Sequence, residues 1–165
     1  DVDFGMPFNA HLGYQWNNGF GLEAGLGEML RAATVNTNYA STDAFVILEY
    51  EAYIEPLYRF DLGPKSALIA GLQVGVSTAI VETDYLDGNA SGGGLVLEPE
   101  LRYQFLFGRR FGLNLGLFYR QASFNNLEYE GNAVTNANGS GKWLLNDSGL
   151  GARVAFDFYF KRLTR

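Results

Sequence analysis

The sequence predicts an all-β protein: an antiparallel up-and-down transmembrane β-barrel, eight strands when closed, of which seven are visible in the chain. Three observations predict it. Apolar residues recur at every second position over long stretches. The connections between those stretches alternate short and long. The composition combines 21 glycines with 15% aromatic residues. That is too aromatic for a disordered chain and too rich in Gly for a helical bundle.

Over 2–16 every even position is apolar: Val2, Phe4, Met6, Phe8, Ala10, Leu12, Tyr14 and Trp16. Asn17-Asn18-Gly19 then marks a tight turn, because Asn and Gly tolerate positive φ. The second strand sets Phe20, Leu22, Ala24 and Leu26 against Gly21, Glu23, Gly25 and Gly27, and its alternation fades near Arg31. The third covers 45–62 and the fourth 68–80, joined by a turn at Gly63-Pro64-Lys65. The fifth covers 95–107 and the sixth 111–120, joined at Gly108-Arg109-Arg110. The last covers 143–160. Between these hairpins the stretches 34–43, 82–93 and 125–142 read as long polar loops rich in Asn, Gly and Ser.

A soluble, lipocalin-like ligand-binding barrel would show the same period with its apolar face turned inward. Three features assign the apolar face to lipid instead. The polar face carries Gly and carboxylates but no Lys, whereas water-facing strands use Lys to stay soluble. Large aromatics on the apolar face gather beside the short turns: Tyr14, Trp16, Phe20, Tyr58, Phe60, Tyr103, Phe105, Phe107, Phe111, Phe158 and Phe160. Such a girdle marks a membrane interface. The strands also run beyond the roughly 9–11 residues that a crossing requires. Seven strands give an odd number, while single-chain barrels of this class have an even one. A strand preceding Asp1 would restore it; one hidden around Leu127-Glu128-Tyr129 would need a further turn and partner.

Composition excludes several chemistries. The absence of Cys removes disulfides, thiolate metal sites and Cys nucleophiles. One His cannot build an all-His zinc site. A net charge of −6 without basic runs speaks against nucleic acid as a partner. Asp84, Asp87, Glu128 and Glu130 lack calcium-loop spacing, so no metal or other cofactor is expected.

The segment 8–27, FNAHLGYQWNNGFGLEAGLG, resembles the second and third strands of the OmpA/OmpX-type small outer-membrane barrels. The segment 149–160, GLGARVAFDFYF, resembles their closing strand, although here the chain continues past Phe160. The resemblance implies one eight-stranded domain over 1–165 in a bacterial outer membrane. It also implies contact with membrane lipids and lipopolysaccharide, and handling by the barrel-assembly machinery during insertion. It implies no single activity.

The candidate site is the set of charges expected to face the lumen. It comprises Glu23, Glu49, Glu51, Glu55, Arg59, Asp61, Glu98, Glu100, Arg102, Arg120, Arg153 and Asp157. Buried charges must pair, and neighbouring strands offer complements: the group 49–61, Glu98 to Arg102 beside Arg120, and Arg153 with Asp157. A salt-bridged plug in a structural or surface-interaction protein is the leading expectation, with the long loops available to a surface ligand. A minor cation-preferring pore is an alternative, since the acids outnumber Arg. A lipid-modifying barrel enzyme is another, with His11 its only imidazole. Neither GxSxG nor HExxH occurs, and no catalytic residue is assigned.

Overall fold

The computed structural model describes residues 2–36, 42–83, 89–107, 110–134 and 145–159. Among them there is no helix. One antiparallel sheet contains β1 (Val2–Gln15), β2 (Phe20–Asn36), β3 (Thr42–Gly63), β4 (Ser66–Thr83), β5 (Asn89–Phe107), β6 (Phe111–Tyr129), β7 (Asn132–Ala133) and β8 (Leu145–Phe158). Each long strand pairs with the next in sequence, and β8 returns to β6 beside the two-residue β7. The sheet curls into a half-barrel. Its edges, β1 and β8, run in the same direction and are not paired to each other.

The seven long strands follow the expected order, but several extend into segments expected to be loops. Thr34–Asn36 continue β2 and Thr42-Asp43 open β3. Asn89 to Gly93 belong to β5, and Asn125 to Tyr129 to β6. Leu127-Glu128-Tyr129 is therefore the end of β6, not a strand of its own. Beyond it Glu130 (φ 50°) and Gly131 (φ 78°) form a two-residue hairpin that pairs Tyr129 with Asn132. Two successive positive φ values are what a type I′ turn requires. The expected strand start at Trp143, and Phe160, lie outside the described residues.

The short turns are built as the sequence suggests. Gly19 (φ 91°) donates to the Trp16 carbonyl at 3.2 Å, and Asn18 Oδ1 accepts from Phe20 N at 3.2 Å. Pro64-Lys65 close a two-residue turn between the paired Gly63 and Ser66. Three prolines sit inside strands: Pro7 on the edge strand β1, facing Met29, and Pro56 and Pro99 on inner strands. Pro56 faces Leu22 of β2, while the β3–β4 register passes from Ile54–Val74 straight to Leu57–Gly71. Pro99 likewise faces Leu72 of β4, where the β5–β6 register passes over 98–99. A missing N–H is tolerated at Pro56 and Pro99 because each ring stands where one ladder is interrupted.

Large and absent side chains alternate across the inner face. The Tyr53 ring on β3 lies over Gly25 of β2, 2.5 Å from where a Cβ would stand, and Cβ of the same Tyr is 3.0 Å from that of a residue at Gly75 on β4. Phe118 covers Gly151 in the same way. Gly25→Val should therefore cost about 1–3 kcal/mol, the range for overpacking. Gly149→Ala, with nothing within 4 Å, should be close to neutral. Equilibrium denaturation of the two variants checks this.

Candidate functional site: a buried ion-pair network and a reversal of faces

The inward positions of β2, β3, β5, β6 and β8 bring most of the expected charges together. Glu98 on β5 is fully buried and joins two arginines. Its Oε1 accepts from Arg153 Nη2 at 2.6 Å and its Oε2 from Arg120 Nη1 at 3.3 Å. Arg120 also donates to Glu51 and Glu49 on β3, both at 2.8 Å. Arg153 donates to Glu100 at 2.7 Å. Arg102 spans the lumen from β5 to Glu55 at 2.9 Å and to Glu23 on β2 at 3.1 Å. A contact of 3.9 Å between Arg102 Nε and Glu100 Oε1 connects the two groups. These bonds are charge-assisted and mostly short, the strong end of the range.

The pairing differs from the sequence expectation in a consistent way. Most guanidinium groups reach across the lumen rather than along or between adjacent strands. Arg153 is held by Glu98 and Glu100 rather than by Asp157. Asp157 instead accepts from Gln104 Nε2 at 2.6 Å and faces His11 of β1 at 3.7 Å. Asp61 does not belong to the buried set. It is 74% exposed at the turn end and accepts from Arg59 two residues away at 2.8 Å.

Sequence reasoning missed several members. Arg31, where the alternation seemed to end, is buried and lies 3.3 Å from Glu49. Gln73 donates to Glu51 at 3.0 Å, and Gln104 Nε2 donates to the Tyr159 hydroxyl at 2.7 Å. Gln73, Gln104 and Asn114 fall at inward positions of the same period, so the pattern itself marked them. Among the described residues no group of three His, Asp or Glu side chains converges on a point suited to a metal ion.

The outer face holds the large apolar side chains. Leu12, Leu26, Leu117 and Phe156 are exposed, as are most of the expected girdle residues, with Tyr58 half-buried. Rings of the girdle meet at the turn end: Tyr14–Trp16 at 5.3 Å, Phe20–Tyr58 at 4.9 Å, Phe105–Phe107 at 5.0 Å and Phe111–Phe158 at 5.2 Å. Edge-on and tilted geometries are those that ring quadrupoles favour.

Toward the loop end the two faces exchange character along the same strands. On β4 the outward residues pass from Leu72, Val74 and Val76 to Thr78 and Glu82, with Ile80 half-buried between them. The inward residues pass from Gln73 and Ser77 to Ala79 and Val81. On β6 the outward residues pass from Leu115, Leu117 and Tyr119 to Gln121 and Asn125, and the inward ones from Asn114 and Arg120 to Ala122 and Phe124. On β5 the outward Leu97 and Leu95 give way to Gly93, Ser91 and Asn89, and the inward glutamates to Val96 and Ala90. Ile47, Ala79, Val81, Ala90, Val96, Ala122, Phe124 and Leu127 form one buried apolar cluster there. The lumen is thus charged in its middle section and apolar toward the loop end, with Leu57, Ala67, Ile69 and Leu106 also buried beside the short turns.

Arg120→Met would leave Glu49 and Glu51 buried without their shared guanidinium. It should cost about 3–5 kcal/mol, the range for breaking a buried pair, and much more than Arg59→Met at the rim. Denaturant titration of both variants reads the difference. Comparison of the chain with protein-family models, curated proteins and solved structures finds no match.

Proposed function

We propose that the protein is an integral β-barrel of a bacterial outer membrane. Its role is non-enzymatic, structural or in surface interaction, with a lumen plugged by paired charges. One observation carries the reading: the reversal of faces along β4, β5 and β6. A sheet wholly in water would bury its apolar side throughout. Here the outward side is apolar from the short turns to mid-strand and polar beyond, while the inward side, charged in mid-strand, becomes apolar toward the other end. This is the arrangement expected of strands that leave hydrocarbon and enter water partway along their length. In the first section the exposed Leu, Phe and Tyr side chains form a continuous belt, far more apolar surface than soluble proteins leave open. In the second, burying each large side chain contributes about 1.5–3 kcal/mol, so the projecting end carries a core of its own.

Closure follows from the same reading. In hydrocarbon, each unpaired N–H or C=O along β1 and β8 costs several kcal/mol. The two edges run in the same direction, so one strand opposed to both completes antiparallel pairing and makes eight long strands. Membrane lipid and lipopolysaccharide then surround the belt, and the barrel-assembly machinery inserts the chain. The described parts of the long connections, 34–36, 42–43, 82–83, 89–93 and 125–134, lie at the projecting end, where a surface ligand would meet them.

Two measurements test this. The protein should stay monodisperse only in detergent, and unboiled samples should migrate differently from boiled ones on a gel. A detergent-free monomer would overturn the membrane reading. In planar bilayers no conductance above background is expected, since both the ion-pair network and the apolar cluster obstruct the lumen. Steady cation-selective steps would replace the plugged barrel with a minor pore.

A further inference from the structure

The end of β5 is distinguished by three consecutive glycines, Gly92 to Gly94, and by a register shift in its ladder with β6. Gly93 pairs with Asn125, but Ser91 pairs with Glu128, so β6 carries an extra residue between the two pairs. A bulge of this kind re-aims side chains. Leu127 turns inward beneath Gly92, 2.9 Å from where a Cβ would stand, while Asn125 and Glu128 both emerge outward. Thr78 of β4 pairs with Gly93 from the other side. A Cβ on Gly93 would meet nothing within 4 Å. The missing side chain leaves an open groove of about 460 Å³ lined by Thr78, Ser91, Gly92, Gly93, Asn125 and Glu128.

The position of the groove suggests its occupant. One step along the strands toward the turn end, the outward pair is Val76 and Leu95, both well exposed. The groove therefore lies on the line where the outer face changes from apolar to polar. Two hydroxyls, an amide and a carboxylate offer both donors and acceptors. Among the described residues no Lys or Arg lines it. The Glu128 carboxylate repels phosphate and sulfate groups.

Resting on the membrane reading above, we propose that this groove binds the uncharged, hydroxyl-rich headgroup of a membrane amphiphile. The headgroup hydroxyls bond Thr78, Ser91, Asn125 and Glu128, and the chain of the amphiphile runs down over Val76 and Leu95. Gly93 serves as the floor because any side chain there would occupy the place of the sugar.

The test uses isotope-labelled protein in dodecylphosphocholine micelles, titrated with dodecyl maltoside and followed by backbone amide resonances. Saturable shifts are expected at Gly92 to Gly94 and Glu128. Gly93→Trp starts from a Cβ that meets nothing within 4 Å and places a large ring in the groove, so it should weaken the response by about tenfold or more, the loss expected when more than one hydrogen bond is removed. Asn125→Ala, an exposed truncation, should weaken it as well and serves if the Trp variant loses its heat-dependent gel mobility. Leu26→Trp, exposed on the belt at β2 and away from the groove, should leave it unchanged. Dodecyl sulfate should give no saturable shift at these amides. Shifts that never saturate, equal shifts in wild type and Asn125→Ala, or saturation by dodecyl sulfate would overturn the proposal while leaving the barrel in its micelle. A protein that is monomeric without detergent would overturn the membrane reading, and the groove proposal with it.

Discussion

Three arginines that reach across the lumen, Arg102, Arg120 and Arg153, set the terms for the rest of the structure. A guanidinium removed from water must find carboxylates, and the strand on which it sits does not supply enough of them. Arg120 finds Glu49 and Glu51 on β3, Arg102 finds Glu55 and Glu23, and Arg153 finds Glu98 and Glu100. Only a curled sheet brings these strands within reach of one another. Register is constrained as well, because a slip of one residue would turn every charge outward. The glycines fit the same requirement, since a narrow lumen filled by Tyr53, Phe118 and long charged side chains leaves no volume on the facing strands.

Much of this was legible in the sequence. Period two located the long strands, and the alternation assigned the outward Leu and Phe and the inward Glu and Arg correctly at nearly every position. It failed where the faces exchange character. On β6 the outward apolar residues stand at odd positions through Tyr119; the buried ones then stand at Ala122 and Phe124 and, past the bulge, at Leu127. The strand continues, but its phase changes, and a change of phase reads as an ending. The same shift hid the loop ends of β4 and β5, where Gly92 to Gly94 added a loop-like composition. Asn89 and Asn125 misled for a related reason. Residues typical of turns are also what an outward position needs once it faces water.

The choice of ionic partners was legible only in part: Arg120 with Glu98 and Arg59 with Asp61 pair as neighbours, but the longer-range partners were not foreseen. The sequence offers nearby complements, such as Arg153 and Asp157, and spacing alone favours them. The partners found instead depend on the curvature of the sheet and on how far a guanidinium reaches across it. Curvature in turn depends on the Gly–aromatic pairs and on the interruptions at Pro56 and Pro99, each of which involves more than one strand.

The crossing of ion pairs between distant strands has a kinetic consequence. Neighbouring strands zip locally, and such hairpins form within about 1–10 μs. Glu23 and Arg102, by contrast, are separated by most of the meander, and their meeting requires β2 through β5 to exist already. Until then the charges that meet only across the lumen are unmatched, whereas Arg31–Glu49 and Arg120–Glu98 can form between neighbouring strands. A partly assembled sheet therefore cannot shed water strand by strand: curling, dehydration and neutralisation of the interior have to occur as one concerted event.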